Sequence, residues 1–187
     1  MEFRALTATA AQSLPIGLEL LADFDALPPF EENAPTFAEN AAGKALHYSR
    51  LRAGLVFADD SGLVVPSLGG APGVHSARYA GPGATNSDRI EKLLGEMRAK
   101  TGGQRAAYFV SAIALAEEGR AIAVITDRVE GEILDAPRGS EGFGYDPVFY
   151  FPSLKKTFAE LSAEEKNQCS HRGKAFRRLL AALSSML

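Results

Sequence analysis

The chain has 187 residues of which 46% are apolar, enough for one buried core and too few for two domains of ordinary size. Its 20 basic and 23 acidic residues leave a net charge of −3, which excludes a strongly basic, polyanion-binding character for the chain as a whole. One cysteine, Cys169, excludes an intramolecular disulfide and a cysteine zinc site, and no apolar run reaches the roughly 20 residues that cross a bilayer.

Met1–Leu6 lacks the apolar segment of a signal peptide, so a soluble protein of a reducing, cytoplasmic compartment is expected. Phe3, Leu6 and Ala10 fit one face of a short opening helix, with a strand expected over Ile16–Leu20. An acidic, proline-containing loop follows, from Pro28 to Pro35. Thr36 suits a helix cap, and the helix after it turns Phe37, Ala41, Ala45 and Tyr48 inward, with Glu39 and Asn40 on other faces and Gly54 at its end. Leu55–Ala58 reads as a short strand that exits into Asp59 and Asp60. Gly69–Gly73 and Gly81–Gly83 read as loops, and Ser87/Asp88 opens a helix carrying Ile90, Leu93, Leu94 and Met97.

Ala106–Leu115 and Ala121–Val129 read as two strands joined in hairpin fashion at Glu117-Glu118-Gly119. Residues 137–147 form a loop rich in Gly and Pro, and Val148–Phe151 is a strand. Ser162-Ala163-Glu164-Glu165 matches a capping box, and a last helix runs from about His171 to Leu183 with Phe176, Leu179, Leu180 and Leu183 inward. Helices interleaved with strands plus one hairpin give the α/β class, a single domain over 1–187 with a mixed β-sheet.

Three groups of residues carry chemistry. Adjacent aspartates in extended chain point to opposite sides, so one of Asp59 and Asp60 can face a ligand while the other holds the protein together. Such a pair also suits a plain turn. Mg²⁺ favours carboxylate oxygens and bridges to phosphates, and Glu31, Glu32 or Glu39 offers a second carboxylate. Gly142-Phe143-Gly144-Tyr145-Asp146-Pro147 combines permissive backbone with two aromatic rings able to stack on a base, and Asp146 can accept from a base N–H. Lys166, Ser170, His171 and Arg172 lie where one helix ends and another begins, a place that favours an anion or carbonyl oxygen. From Lys155 onward there are seven Lys/Arg against three Glu, a bias that suits a polyanion or a solvated helix face equally.

At these residues the chain resembles the inosine/xanthosine triphosphate pyrophosphatase family. The resemblance runs from Thr36 to Leu183 through Thr36–Ala41, Lys44-Ala45, Ala58–Gly62, Leu68–Gly73, Ser76–Tyr79, Pro137–Gly139, Gly142–Pro147, Thr157, Ala159–Leu161 and Lys166–Arg172. It implies an elongated α/β fold with two lobes flanking a nucleotide cleft, a homodimer, and Mg²⁺-dependent conversion of ITP, dITP and XTP to the monophosphate and pyrophosphate. It also implies that Asp60 is the proton acceptor and a metal ligand, with Glu32 the second acidic group at the metal. Ser61, Lys44, Phe143, Gly144, Tyr145, Asp146, Lys166, His171 and Arg172 would bind substrate, His171 and Arg172 at the keto edge of the purine. No nucleic-acid or membrane partner is implied.

That family opens with a strand and a Ser/Thr-x-Asn-x-x-Lys turn, whereas Met1–Leu6 resembles the helix after the turn. The expectation is an upstream start, the alternative being an impaired nucleotide-binding homologue without significant turnover. A pyrophosphatase for modified pyrimidine or methylated nucleotides is the other reading left open.

Overall fold

In the computed structural model residues 17–185 are described, so the expected opening helix and Ile16 lie outside the described residues. Five strands form one sheet in the order β1-β2-β3-β4-β5: β1 (Val56–Val64), β2 (Ala106–Glu117), β3 (Arg120–Ile133), β4 (Phe149–Phe151) and β5 (Lys156–Thr157). The β3–β4 and β4–β5 pairs are antiparallel. Among the described residues four α-helices accompany them: α1 (Phe37–Ser49), α2 (Asn86–Met97), α3 (Ala163–Cys169) and α4 (His171–Ser184). The α/β class therefore stands.

Local chemistry accounts for most boundaries. Thr36 caps α1, its hydroxyl accepting from the Glu39 N–H. Capping boxes open α2 at Thr85/Asp88 and α3 at Ser162/Glu165, so α2 starts a turn's edge earlier than Ser87. The β2–β3 hairpin closes through Glu118 (φ 48°) and Gly119 (φ 76°), the two positive angles that a twist-matched two-residue turn demands.

Four expectations need correction. Gly17–Leu20 is not strand. The strand placed at Leu55–Ala58 runs over Val56–Val64, so the aspartates sit in mid-strand rather than at its exit. α1 ends at Ser49, before Gly54. Asn40, assigned to an outer face, is fully buried, because a side-chain amide can be enclosed once its polar atoms find partners.

The chain divides into two compact units. One takes the residues up to Asp60, Ser111–Asp127 and the segment from Arg172, and the other takes Ser61–Val110 and Arg128–His171. In the first, Phe176 and Leu179 of α4 pack with Ile113 and Leu115 of β2, and Ala41 and Ala45 of α1 meet Ala58, Ala112, Ala114 and Ala116. Alanines on both surfaces keep α1 close to the strand backbone that carries the aspartates. In the second, Leu63, Leu93, Met97, Phe109, Phe149, Phe158 and Leu161 form a larger apolar core. Among the described residues no helix is long and apolar enough to cross a membrane.

Candidate active site

In β1 the alternation of side chains sends the two aspartates to different partners. Asp59 accepts from Ser111 Oγ on β2 at 2.6 Å and from Arg172 Nε on α4 at 3.0 Å. Asp60 has a different environment, with the side chains of Asn40, Glu32 and Lys44 around it. It is only 8% exposed, and its Oδ2 accepts no hydrogen bond among the described residues. Burial is the main reason its carboxyl rises to about 6 from 3.8, with the Asn40 hydrogen bond opposing that rise and the Glu32 charge adding to it.

Glu32 reaches this place because its loop is fastened to α1 at three points. The Asn40 amide accepts from Ala34 N at 2.9 Å. His47 Nε2 meets the Pro28 carbonyl at 2.8 Å. The Phe30 ring lies against Gly43, where a Cβ would stand 2.5 Å from the ring. Lys44, one helical position on, donates to the Asp59 carbonyl at 3.0 Å and pairs with the Glu32 carboxylate. No group of three or more His, Cys, Asp or Glu side chains gathers as a ready metal cage among the described residues. A cation here would rest on one or two carboxylates plus non-protein ligands, the arrangement Mg²⁺ favours.

In the second unit the segment Arg138–Glu141, which leads into the Gly142–Pro147 loop, is strapped to the Thr157–Glu160 turn. Ser140 N and Glu141 N donate to the Ala159 carbonyl at 3.1 and 3.0 Å, and Thr157 Oγ1 donates to the Arg138 carbonyl at 2.8 Å. Within the loop, Asp146 Oδ2 accepts from Phe143 N at 2.7 Å and from Lys166 Nζ at 2.5 Å. The Lys166 ammonium also stands 4.5 Å from the centre of the Phe143 ring. Phe143 is half exposed, whereas Tyr145 is buried and donates its hydroxyl to the Ser76 carbonyl at 3.0 Å. That burial holds the Tyr145 phenol above its usual range. His171 stacks nearly parallel on Phe109, ring centres 4.8 Å apart.

A buried carboxylate with an open oxygen, a lysine beside it and, in the other unit, an exposed ring over a buried Asp–Lys pair suit phosphate chemistry and base recognition. The Ham1 family profile matches residues 1–182. The chain belongs to the Ham1 family.

This Ham1 chain is 51% identical over 178 residues to a protein of Geobacillus kaustophilus (strain HTA426) named dITP/XTP pyrophosphatase, covering 95% of this chain and 85% of that one. Among solved structures it resembles a HAM1 protein from Coxiella burnetii, with TM-score 0.80 and 45% identity over 86% of this chain and 82% of that one. It also resembles the Staphylococcus aureus Ham1 protein, with TM-score 0.83 and 38% identity over 100% of this chain and 93% of that one.

Of the residues expected to act, this Ham1 chain gathers Glu32, Lys44 and Asp60 in its first unit and ties Arg172 to Asp59 there. Its second unit gathers Phe143, Tyr145, Asp146 and Lys166 around one loop, with Gly144 at φ 61°, and holds Ser61 in β1 and His171 on Phe109. Sequence reasoning missed Asn40, Ser111 and the Phe30–Gly43 contact. One signal was available: a glycine inside a helical pattern marks a close approach by something else. Ser111, inside a uniformly apolar strand, gave no comparable sign.

Proposed function

We propose that this Ham1-family chain hydrolyses the non-canonical purine nucleoside triphosphates ITP, dITP and XTP, whose bases carry a 6-keto group, to the monophosphate and pyrophosphate. The observation that carries the reading is Asp60: a buried carboxylate with one oxygen open, beside Glu32, in a chain half-identical to a protein named dITP/XTP pyrophosphatase.

In this reading Asp60 takes the proton of the attacking water as the bond between the α- and β-phosphates breaks, and pyrophosphate leaves. An acid of about 6 is mostly ionised at neutral pH and is a stronger base than an ordinary aspartate, which suits that task. Lys44, paired with Glu32 and bonded to the Asp59 carbonyl, brings positive charge to the same place, and in this reading it serves the phosphates. Mg²⁺ would be held by Asp60 and Glu32, and when bound it supplies charge neutralisation on the phosphates and a more acidic water. The fit rests on Asp60 Oδ2, an enclosed oxygen without a hydrogen-bond partner among the described residues.

The exposed Phe143 ring offers a stacking surface for the base. A 6-keto purine presents an acceptor at O6 and a donor at N1, the reverse of adenine. Asp146 as acceptor and Lys166, His171 and Arg172 as donors match that order, with Gly144, Tyr145 and Ser61 shaping the backbone at the substrate. Adenine would leave buried groups unpaired, a penalty that hydrogen-bonding sites turn into strong discrimination. The reading takes residues 1–187 as one domain, a homodimer acting on free nucleotides in the cytoplasm, where a lone cysteine stays reduced.

The test is pyrophosphate release from dITP, XTP and dATP with Mg²⁺, beside an EDTA control. Metal-dependent turnover of dITP and XTP far above dATP is expected. A folded sample that turns over none of them, or prefers dATP, would overturn the assignment. Light scattering at working concentration tests the dimer.

A further inference from the structure

The two adjacent aspartates differ in what remains to be bound. Asp60 keeps an oxygen open. Both carboxylate oxygens of Asp59 are committed, Oδ1 to the Ser111 hydroxyl and Oδ2 to Arg172 Nε. Ser111 is fully buried, and the Asp59 and Arg172 side chains are only 12% and 20% exposed. A long, flexible guanidinium is thus fixed by a short carboxylate, itself fixed by a hydroxyl on the next strand. Charge-assisted bonds of this kind are shorter and stronger than neutral ones and hold orientation as well as position. Arg172 lies in the first turn of α4, directly after His171.

We propose that Asp59 is a positioning residue for Arg172, and through Arg172 sets how tightly the purine base is held. The inference rests on the reading of Arg172 as a base contact. It divides labour along β1: Asp60 serves the phosphate chemistry and Asp59, one residue earlier and on the other side of the strand, serves recognition. It also accounts for why the pair is adjacent, since one rigid strand then registers both tasks.

The test compares wild type with Asp59→Asn, Ser111→Ala, Arg172→Ala and the double variant Asp59→Asn/Arg172→Ala. Asparagine keeps the shape: its carbonyl can accept from Arg172 and its NH₂ can donate to the Ser111 oxygen, so the loss is the charge. For dITP hydrolysis, Asp59→Asn and Arg172→Ala should each raise KM by about tenfold, with kcat within about threefold of wild type. The double variant should be no worse than Arg172→Ala. Inhibition by inorganic tripolyphosphate, which has no base, should stay unchanged, a result a general loss of structure would not give. Ser111→Ala, which leaves the carboxylate in place, should raise KM by about threefold and carries the test if Asp59→Asn fails to fold.

An unchanged KM in Asp59→Asn alongside a raised one in Arg172→Ala would sink the positioning role and leave the base contact standing. An unchanged KM in Arg172→Ala would remove the base contact itself. A fall in kcat alone in Asp59→Asn would put Asp59 in the chemistry and likewise overturn the proposal. If Asp59→Asn does not fold, a wild-type KM in Ser111→Ala overturns it.

Discussion

Lys166 Nζ stands 2.5 Å from Asp146 Oδ2, with the two side chains only 9% and 3% exposed. Two charges enclosed to that degree are each expensive to bury and acceptable only together. Lys166→Met, which strands the carboxylate, is expected to cost about 3–5 kcal/mol in urea denaturation. Lys166→Met with Asp146→Asn should recover a large part of that loss, because the amide still accepts from Phe143 N and no charge is left buried. Losses that simply add across the two sites would show that the pair is not coupled.

The loop glycines should separate sharply. A Cβ on Gly142, at φ +74°, would stand 2.1 Å from Asp146 Oδ2, whereas one on Gly144, at φ +61°, would meet nothing within 4 Å. Gly144→Ala therefore carries only the backbone penalty, about 1 kcal/mol. Gly142→Ala adds a clash with the buried carboxylate and should lower the melting temperature by a clearly larger step. Equal effects in a thermal scan would contradict the placement of Asp146.

The two aromatic rings of that loop have different work. Phe143→Ala should raise KM for dITP by about tenfold, the scale of one base-stacking contact, with little change in stability. Tyr145→Phe removes the hydroxyl that the buried Ser76 carbonyl accepts from, so it should cost about 1 kcal/mol of stability and leave KM alone. The reverse pattern would make Tyr145 the stacking ring.

Asp60 gives a pH signature in metal-free protein. Its carboxyl rises to about 6 from 3.8 on folding, chiefly through burial. The folded state thus holds the proton more tightly than the unfolded state, and unfolding free energy falls as pH rises between those two values. The contribution is fully present below 3.8 and gone above about 6. Asp60→Asn should flatten that part of the stability profile in EDTA-treated protein, and the wild-type Asp60 carboxyl should titrate near 6 by NMR. A midpoint near 4 would remove the argument for an enhanced base.

Asn40 joins the acidic loop to the Asp60 environment, accepting from Ala34 N while hydrogen-bonding Asp60. Asn40→Ala frees both, and should cost about 1–3 kcal/mol for the buried groups left unpaired. It should also weaken Mg²⁺ binding measured by calorimetry, since Glu32 loses one of its tethers. Asn40→Asp should cost more stability than Asn40→Ala in metal-free protein, by setting another carboxylate against Asp60. Wild-type calorimetry in Asn40→Ala would detach the loop from metal binding.

Sequence alone was enough for the periodic elements and for the residues with special backbone or capping chemistry. The inward face of α1, the Ser162/Glu165 box and the Glu118-Gly119 hairpin are each set by neighbours within a few positions, so local spacing reveals them. The motif blocks likewise marked Asp60, Asp146 and Lys166 as polar residues in unusual settings. Only the tertiary structure decided what each side chain touches. That Asp59 answers to Ser111 and Arg172, 52 and 113 residues away, follows from strand and helix packing that no local pattern encodes. Asn40 looked like an outward residue because polarity predicts exposure until a buried partner is known, and Phe143 and Tyr145 looked alike until burial separated them.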